Sequence, residues 1–137
     1  MKTIAKLAMA FSFLALAATA PSAAQAQWVL LGEKAVSLDA DRDIVSAVGE
    51  GTFSGIRLCV RRRAVRFYDL DVEFGNGGHQ DLQIRRVIGP GECTRAIDIR
   101  GNRRFIRRVI LNYQTVNPYG TGAIFGPQAI VEVYGRR

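Results

Sequence analysis

Arginines are the residues of this chain best equipped for chemistry, and they come in two groups. The first is Arg61, Arg62, Arg63 and Arg66; the second is Arg103, Arg104, Arg107 and Arg108. A guanidinium stays charged and offers a planar fork of donors, so it grips carboxylate, phosphate or sulfate through two bonds at once. Both groups fall at or beside predicted turns. If they converge they form an anion site; if they lie apart they are charges that discourage edge-to-edge pairing of strands. Neither group has the interleaved aromatics of a base-stacking surface, so no nucleic-acid partner is expected.

The remaining polar residues do not assemble into a catalytic motif. Serine hydrolysis needs a serine and a histidine in reach, and His79 is the only histidine beside Ser37, Ser46 and Ser54. None of these serines lies in a glycine-rich elbow. Asp69, Asp71, Glu73 and Asp81 offer carboxylates for a hydrolase. The first three, however, alternate with Leu70, Val72 and Phe74, which reads as the solvent face of a strand. No phosphate loop, dinucleotide fingerprint or zinc spacing is present. The expectation is a protein that is not an enzyme and has no cofactor, with a surface-carboxylate hydrolase as the residual catalytic reading.

Two further sets of side chains have candidate binding roles. Asp39, Asp41 and Asp43 resemble the start of a calcium loop, with Glu50 at the twelfth position. Ile44 occupies the place where the sharp turn needs glycine, and no helical pattern flanks the segment. These aspartates are therefore weak metal candidates, better read as an acidic turn that caps local N–H groups. Tyr119 and Phe125 lie in a Gly- and Pro-rich stretch, 117–127, where aromatics serve either as a ligand platform or as plugs of a sandwich end.

Residues 1–26 have the layout of a cleaved signal peptide: Lys2 and Lys6, an apolar run from Ala8 to Ala20, then Ala24-Gln25-Ala26 before Gln27. The apolar run is shorter than the ~20 residues that span a bilayer. Residues 27–137 then form one domain with no transmembrane segment, which is periplasmic or secreted. Losing the leader takes the formal charge from +7 to +5, and Lys34 becomes the only lysine. In an oxidising compartment Cys59 and Cys93 are most simply one disulfide, the alternative being two buried thiols.

The elements that must position these residues are strands. Ile56, Leu58 and Val60 share one face of a run. Val65 and Phe67 share another, but the apolar phase then slips by one at Leu70, Val72 and Phe74, which predicts a bulge near Tyr68-Asp69. Gly75-Asn76-Gly77-Gly78 predicts a hairpin turn. Trp28 to Leu38 reads as a strand, a bend or bulge at Gly32, and a second strand, with Trp28 as a lid on the core. A strand is expected from Thr94 to Ile99, a single helical or 3₁₀ turn near Phe105, and a last strand from Ala129 to Tyr134 before a basic tail. About eight short strands without a long amphipathic helix imply an all-β fold, an antiparallel β-sandwich that is jelly-roll-like or immunoglobulin-like.

Several motifs in order resemble a family of short exported bacterial proteins classed as a domain of unknown function. They are Trp28-Val29-Leu30-Leu31-Gly32, Asp41-Arg42-Asp43-Ile44, Ile56-Arg57-Leu58-x-Val60 and Asp69-Leu70-x-Val72-x-Phe74-Gly75-Asn76-Gly77. Arg95-x-Ile97-Asp98-Ile99-x-Gly101, Leu111-x-Tyr113 and Val131-Glu132-Val133-Tyr134-Gly135 follow. The resemblance implies an all-β envelope domain and transfers no catalytic residue; Cys59 and Cys93 stand outside the shared pattern. The expected function is a binding or structural module of the cell envelope whose arginines contact an anionic envelope polymer, such as a glycan, or lipid headgroups in peripheral contact with the membrane. The alternative is a protein–protein module acting by strand or loop addition.

Overall fold

The computed structural model describes residues 27–38, 42–48, 51–116 and 126–137. The leader (1–26), Asp39, Asp41, Tyr119 and Phe125 lie outside the described residues. The described residues form eight strands: β1 Trp28–Ala35, β2 Arg42–Ser46, β3 Gly55–Arg61, β4 Val65–Phe74, β5 His79–Ile88, β6 Ile97–Asp98, β7 Ile106–Thr115 and β8 Ile130–Arg136. They make two antiparallel four-stranded sheets, sheet I in the order β1-β8-β3-β6 and sheet II in the order β2-β7-β4-β5. The chain is all-β, as its alternating pattern requires.

The core lies between the sheets and is built from the inward half of each alternation. Sheet I contributes Leu31, Ile56, Leu58, Val60, Val131 and Val133; sheet II contributes Val65, Phe67, Leu70, Val72, Val109, Leu111 and Tyr113. Each such side chain, taken fully out of water, stabilises the fold by roughly 1.5–3 kcal/mol before the entropy of ordering it is subtracted. Polar groups that enter this layer find partners. The Tyr113 hydroxyl donates to Asp43 Oδ2 at 2.6 Å. Gln80 accepts from the Arg100 amide at 2.9 Å, tying β5 to the segment after β6.

The irregularities predicted from phase slips are present. β4 shifts register between Phe67 and Asp69 against both its neighbours, so Val65 and Phe67 point inward before the slip and Leu70 and Val72 after it. The turn after β4 closes with Gly77 at φ 85° and its amide donating to the Phe74 carbonyl at 3.0 Å. Cys59 and Cys93 are bonded, and they join β3 to the chain running beside it rather than one sheet to the other.

Four local expectations change. Phe105 to Val109 is not a helical turn: β7 is continuous from Ile106, and a second register shift, between Glu73 and Phe74, falls opposite Arg107. A bulge spaces apolar residues by three, which imitates helical periodicity over so short a span. The strand predicted over Thr94–Ile99 shrinks to Ile97–Asp98, with an isolated bridge at Cys93. The bulge expected at Gly32 is present as a register shift at Leu30/Gly32, but within a single strand, 28–35, and Trp28 is half-buried on the outer surface instead of lidding the core. Arg136 is no tail residue, for β8 runs through it and pairs it with Gly55.

Candidate functional site

The hairpin β4–β5 carries the site, because both of its strands depart from regular pairing at the same level. Phe67 pairs with Arg86 and Asp69 with Gln83, so Tyr68 on β4 faces two residues, Ile84 and Arg85, on β5. Ile84 keeps its place in the core, and the extra residue is expelled outward: Arg85 takes φ 46° in mid-strand. A positive φ at a residue other than glycine costs energy that surrounding structure must offset, and such positions concentrate where ligands bind.

The displaced strands leave an open cleft of about 470 Å³ lined by Arg66, Phe67, Tyr68, Asp69, Gln83 and Arg85. Phe67 is fully buried beneath it, and the other five lining side chains are polar. Tyr68, 45% exposed, is held upright by donating its hydroxyl to Gln114 Oε1 at 2.8 Å. Asp69 accepts from Asn112 Nδ2 at 2.6 Å, which fixes its carboxylate against β7. Neither Arg66 nor Arg85 has an acid partner within ion-pairing distance among the described residues. Two guanidiniums and one carboxylate leave the cleft positively charged, beside a phenol and a carboxamide that can both hydrogen-bond a polyol or an oxyanion.

The other arginines predicted as anion ligands are placed differently. The two groups do not converge. β4 and β7 run antiparallel with Val65 opposite Thr115 and Phe74 opposite Ile106, so Arg61–Arg66 and Arg103–Arg108 stand towards opposite ends of the sandwich; even Arg66, opposite Gln114, is roughly 20 Å from Arg108 at about 3.3 Å per residue. Arg61 leaves for the outer face of sheet I, where it pairs with Glu33 at 3.0 Å and Glu132 at 2.7 Å. Arg62 is exposed in the β3–β4 turn at φ 74°, and Arg63 is half-buried there. Only Arg66 reaches the cleft.

In the second group most of the charge is already used. Arg104 lies 3.6 Å over the Phe74 ring and donates to Asn76 Oδ1 at 3.0 Å. Arg107 and Arg108 both grip Glu73, the former at 3.4 Å. Glu73 is only 5% exposed, and its pKa is lowered, first by the hydrogen bond from Arg108, against the opposing effect of burial. It is a buried anchor rather than part of a solvent face. Arg103 is exposed and lines a larger, more open pocket of about 810 Å³ with Ser54, Asp98 and Arg136.

Among the acids, Asp71 pairs with His79 Nδ1 at 2.9 Å, and Asp81 stands across from Asp71. Asp43 is committed to Tyr113, and no group of three metal-ligating side chains exists among the described residues. The cleft residues that sequence reading missed are Tyr68, Gln83 and Arg85, and only Arg85 left a signal. Strict alternation from Leu82 and Ile84 to Ile88 would turn Arg86 inward, and a charge at an inward position marks a bulge.

A family model described as a domain of unknown function (DUF2541) matches residues 7–135. No curated protein and no solved structure matches the chain.

Proposed function

The chain belongs to the DUF2541 family, a domain of unknown function, and we propose that it is a non-catalytic binding module for an anionic glycan or lipid headgroup of the cell envelope. The observation that carries this reading is the bulge cleft, where Arg66 and Arg85 lack acid partners among the described residues and Arg85 is held at a positive φ. An oxyanion seated there would supply the missing counter-charge, while Tyr68 and Gln83 bond its neighbouring hydroxyls. The Cys59–Cys93 disulfide supports placing the mature protein in an oxidising compartment, periplasmic or secreted, after removal of residues 1–26.

The test is retention on immobilised lipopolysaccharide and on heparin at rising salt. Binding should weaken steeply as screening increases. Arg66→Ser with Arg85→Ser should raise Kd about tenfold or more, whereas Arg103→Ser should leave it within about twofold. Equal loss from Arg103→Ser would relegate the cleft to general surface charge. A second reading, addition of a partner strand, is favoured by β5, a ten-residue strand at the edge of sheet II. Its bulge and its Arg85-Arg86 pair act against such pairing. Capture of a periplasmic protein that survives high salt would favour this reading over the first.

A further inference from the structure

The outer face of sheet I holds a second cationic centre, independent of the cleft. Register places Trp28 of β1 level with Arg136 of β8 and Gly55 of β3, and Leu30 level with Tyr134 and Arg57. The absence of a side chain at Gly55 matters, because a Cβ there would meet the Arg136 guanidinium at 2.7 Å. Two guanidiniums thereby gather over a single indole. Arg57 lies 4.4 Å from the Trp28 ring centroid and 5.4 Å from that of Tyr134, and Arg136 lies 5.8 Å from Trp28.

Their charges are not equally balanced. Arg136 pairs with Asp98 at 2.5 Å and donates to Ser54. The acids of this face are committed elsewhere: Glu132 takes Arg61 and the Tyr134 hydroxyl, the latter at 2.5 Å, and Glu33 takes Arg61. Arg57 forms no ion pair among the described residues, and its Nε is buried without a hydrogen-bond partner. The Trp28 and Tyr134 rings on either hand restrict the Arg57 guanidinium, which lowers the cost of ordering it on a ligand. Leu30, 45% exposed, supplies an apolar neighbour on the same level.

We propose that this face is a second binding site, for a pyranose ring that carries a carboxylate or sulfate. The anionic group accepts from Arg57, and the apolar face of the sugar lies against Leu30 and the Trp28–Tyr134 pair. The site is on the opposite sheet from the cleft and does not depend on it. With both sites filled, one molecule holds two stretches of acidic polysaccharide back to back.

Trp28 is the only tryptophan, so its fluorescence reports this site and not the cleft. The experiment titrates the full mature chain with trigalacturonate, with a heparin-derived tetrasaccharide, and with neutral maltotriose. A saturable Trp28 response to at least one anionic oligosaccharide, with none to maltotriose, is expected. Arg57→Lys keeps the charge but loses the fork, and should raise Kd about tenfold. Arg66→Ser with Arg85→Ser should leave it within about twofold. In the parent protein, ¹H–¹⁵N signals of Arg57 Nε and the Trp28 indole should shift together, a readout independent of any variant's folding. The proposal is overturned by silence of Trp28 and Arg57 towards both anionic oligosaccharides up to about 10 mM. An equal response to maltotriose, an unchanged Kd in folded Arg57→Lys, or a response to phosphatidylglycerol vesicles alone would overturn it too.

Discussion

The two ends of β4 use the same residue type to opposite effect. At the Phe74 end, Arg104, Arg107 and Arg108 are consumed by the ring of Phe74, by Asn76 and by the buried Glu73. At the Phe67–Asp69 end, Arg66 and Arg85 border a cleft and have no acid partner among the described residues, while Asp69, which also lines the cleft, is turned towards Asn112. A register shift occurs at both ends, so irregularity alone does not create a site. What differs is whether a carboxylate is buried under the arginines. One end is a charge network that closes the sandwich; the other is an unbalanced charge left facing solvent.

The largest expected perturbation breaks the free end from beneath. Phe67 is fully buried behind the bulge, and Phe67→Ala should cost about 3–5 kcal/mol in denaturant unfolding. A loss below about 1 kcal/mol would mean that the cleft floor collapses without leaving a cavity, and that the bulge does not depend on the core.

The closed end should reveal itself through pH. Glu73 has a lowered folded pKa, so its contribution to stability is complete above its unfolded value of 4.5 and is lost as pH falls through the folded value. Glu73→Gln should therefore lower Tm at pH 7, and the gap to the parent should narrow below pH 4.5. A gap that stays constant into strong acid would show that packing, not charge, makes Glu73 matter.

The smallest effect sharpens the comparison most. Arg85→Gly removes the side chain that resists φ 46°, and should raise stability by up to about 1 kcal/mol while weakening anion retention. Gain of stability with loss of binding is the signature of a strained functional position. Destabilisation instead would assign Arg85 a structural role.

Much of this hairpin is legible in the sequence alone. The slip of phase after Phe67 announced the bulge, and Gly75–Gly78 announced the turn, since both are consequences of local alternation and backbone freedom. The same logic misread Phe105–Val109, where a bulge copied helical spacing, and it placed Glu73 on a solvent face. Glu73 does alternate outward with Asp69 and Asp71, but Arg107 and Arg108 cover it from β7. Trp28 shows the same limit: its apolar bulk suggests core, whereas its neighbours across sheet I are Arg57, Tyr134 and Arg136.

The sequence by itself determined which residues form strands, which face of each strand is apolar, and where the hairpin turns, because a two-residue period is written along the chain and needs no partner. It also supplied sixteen arginines without saying which of them would be neutralised. Only the tertiary structure decided that. Glu73 and Arg108 are 35 residues apart, and Trp28 reaches Arg57 only across β8. Such pairings depend on non-local register, and a charge becomes a site or a staple according to what that register sets beside it.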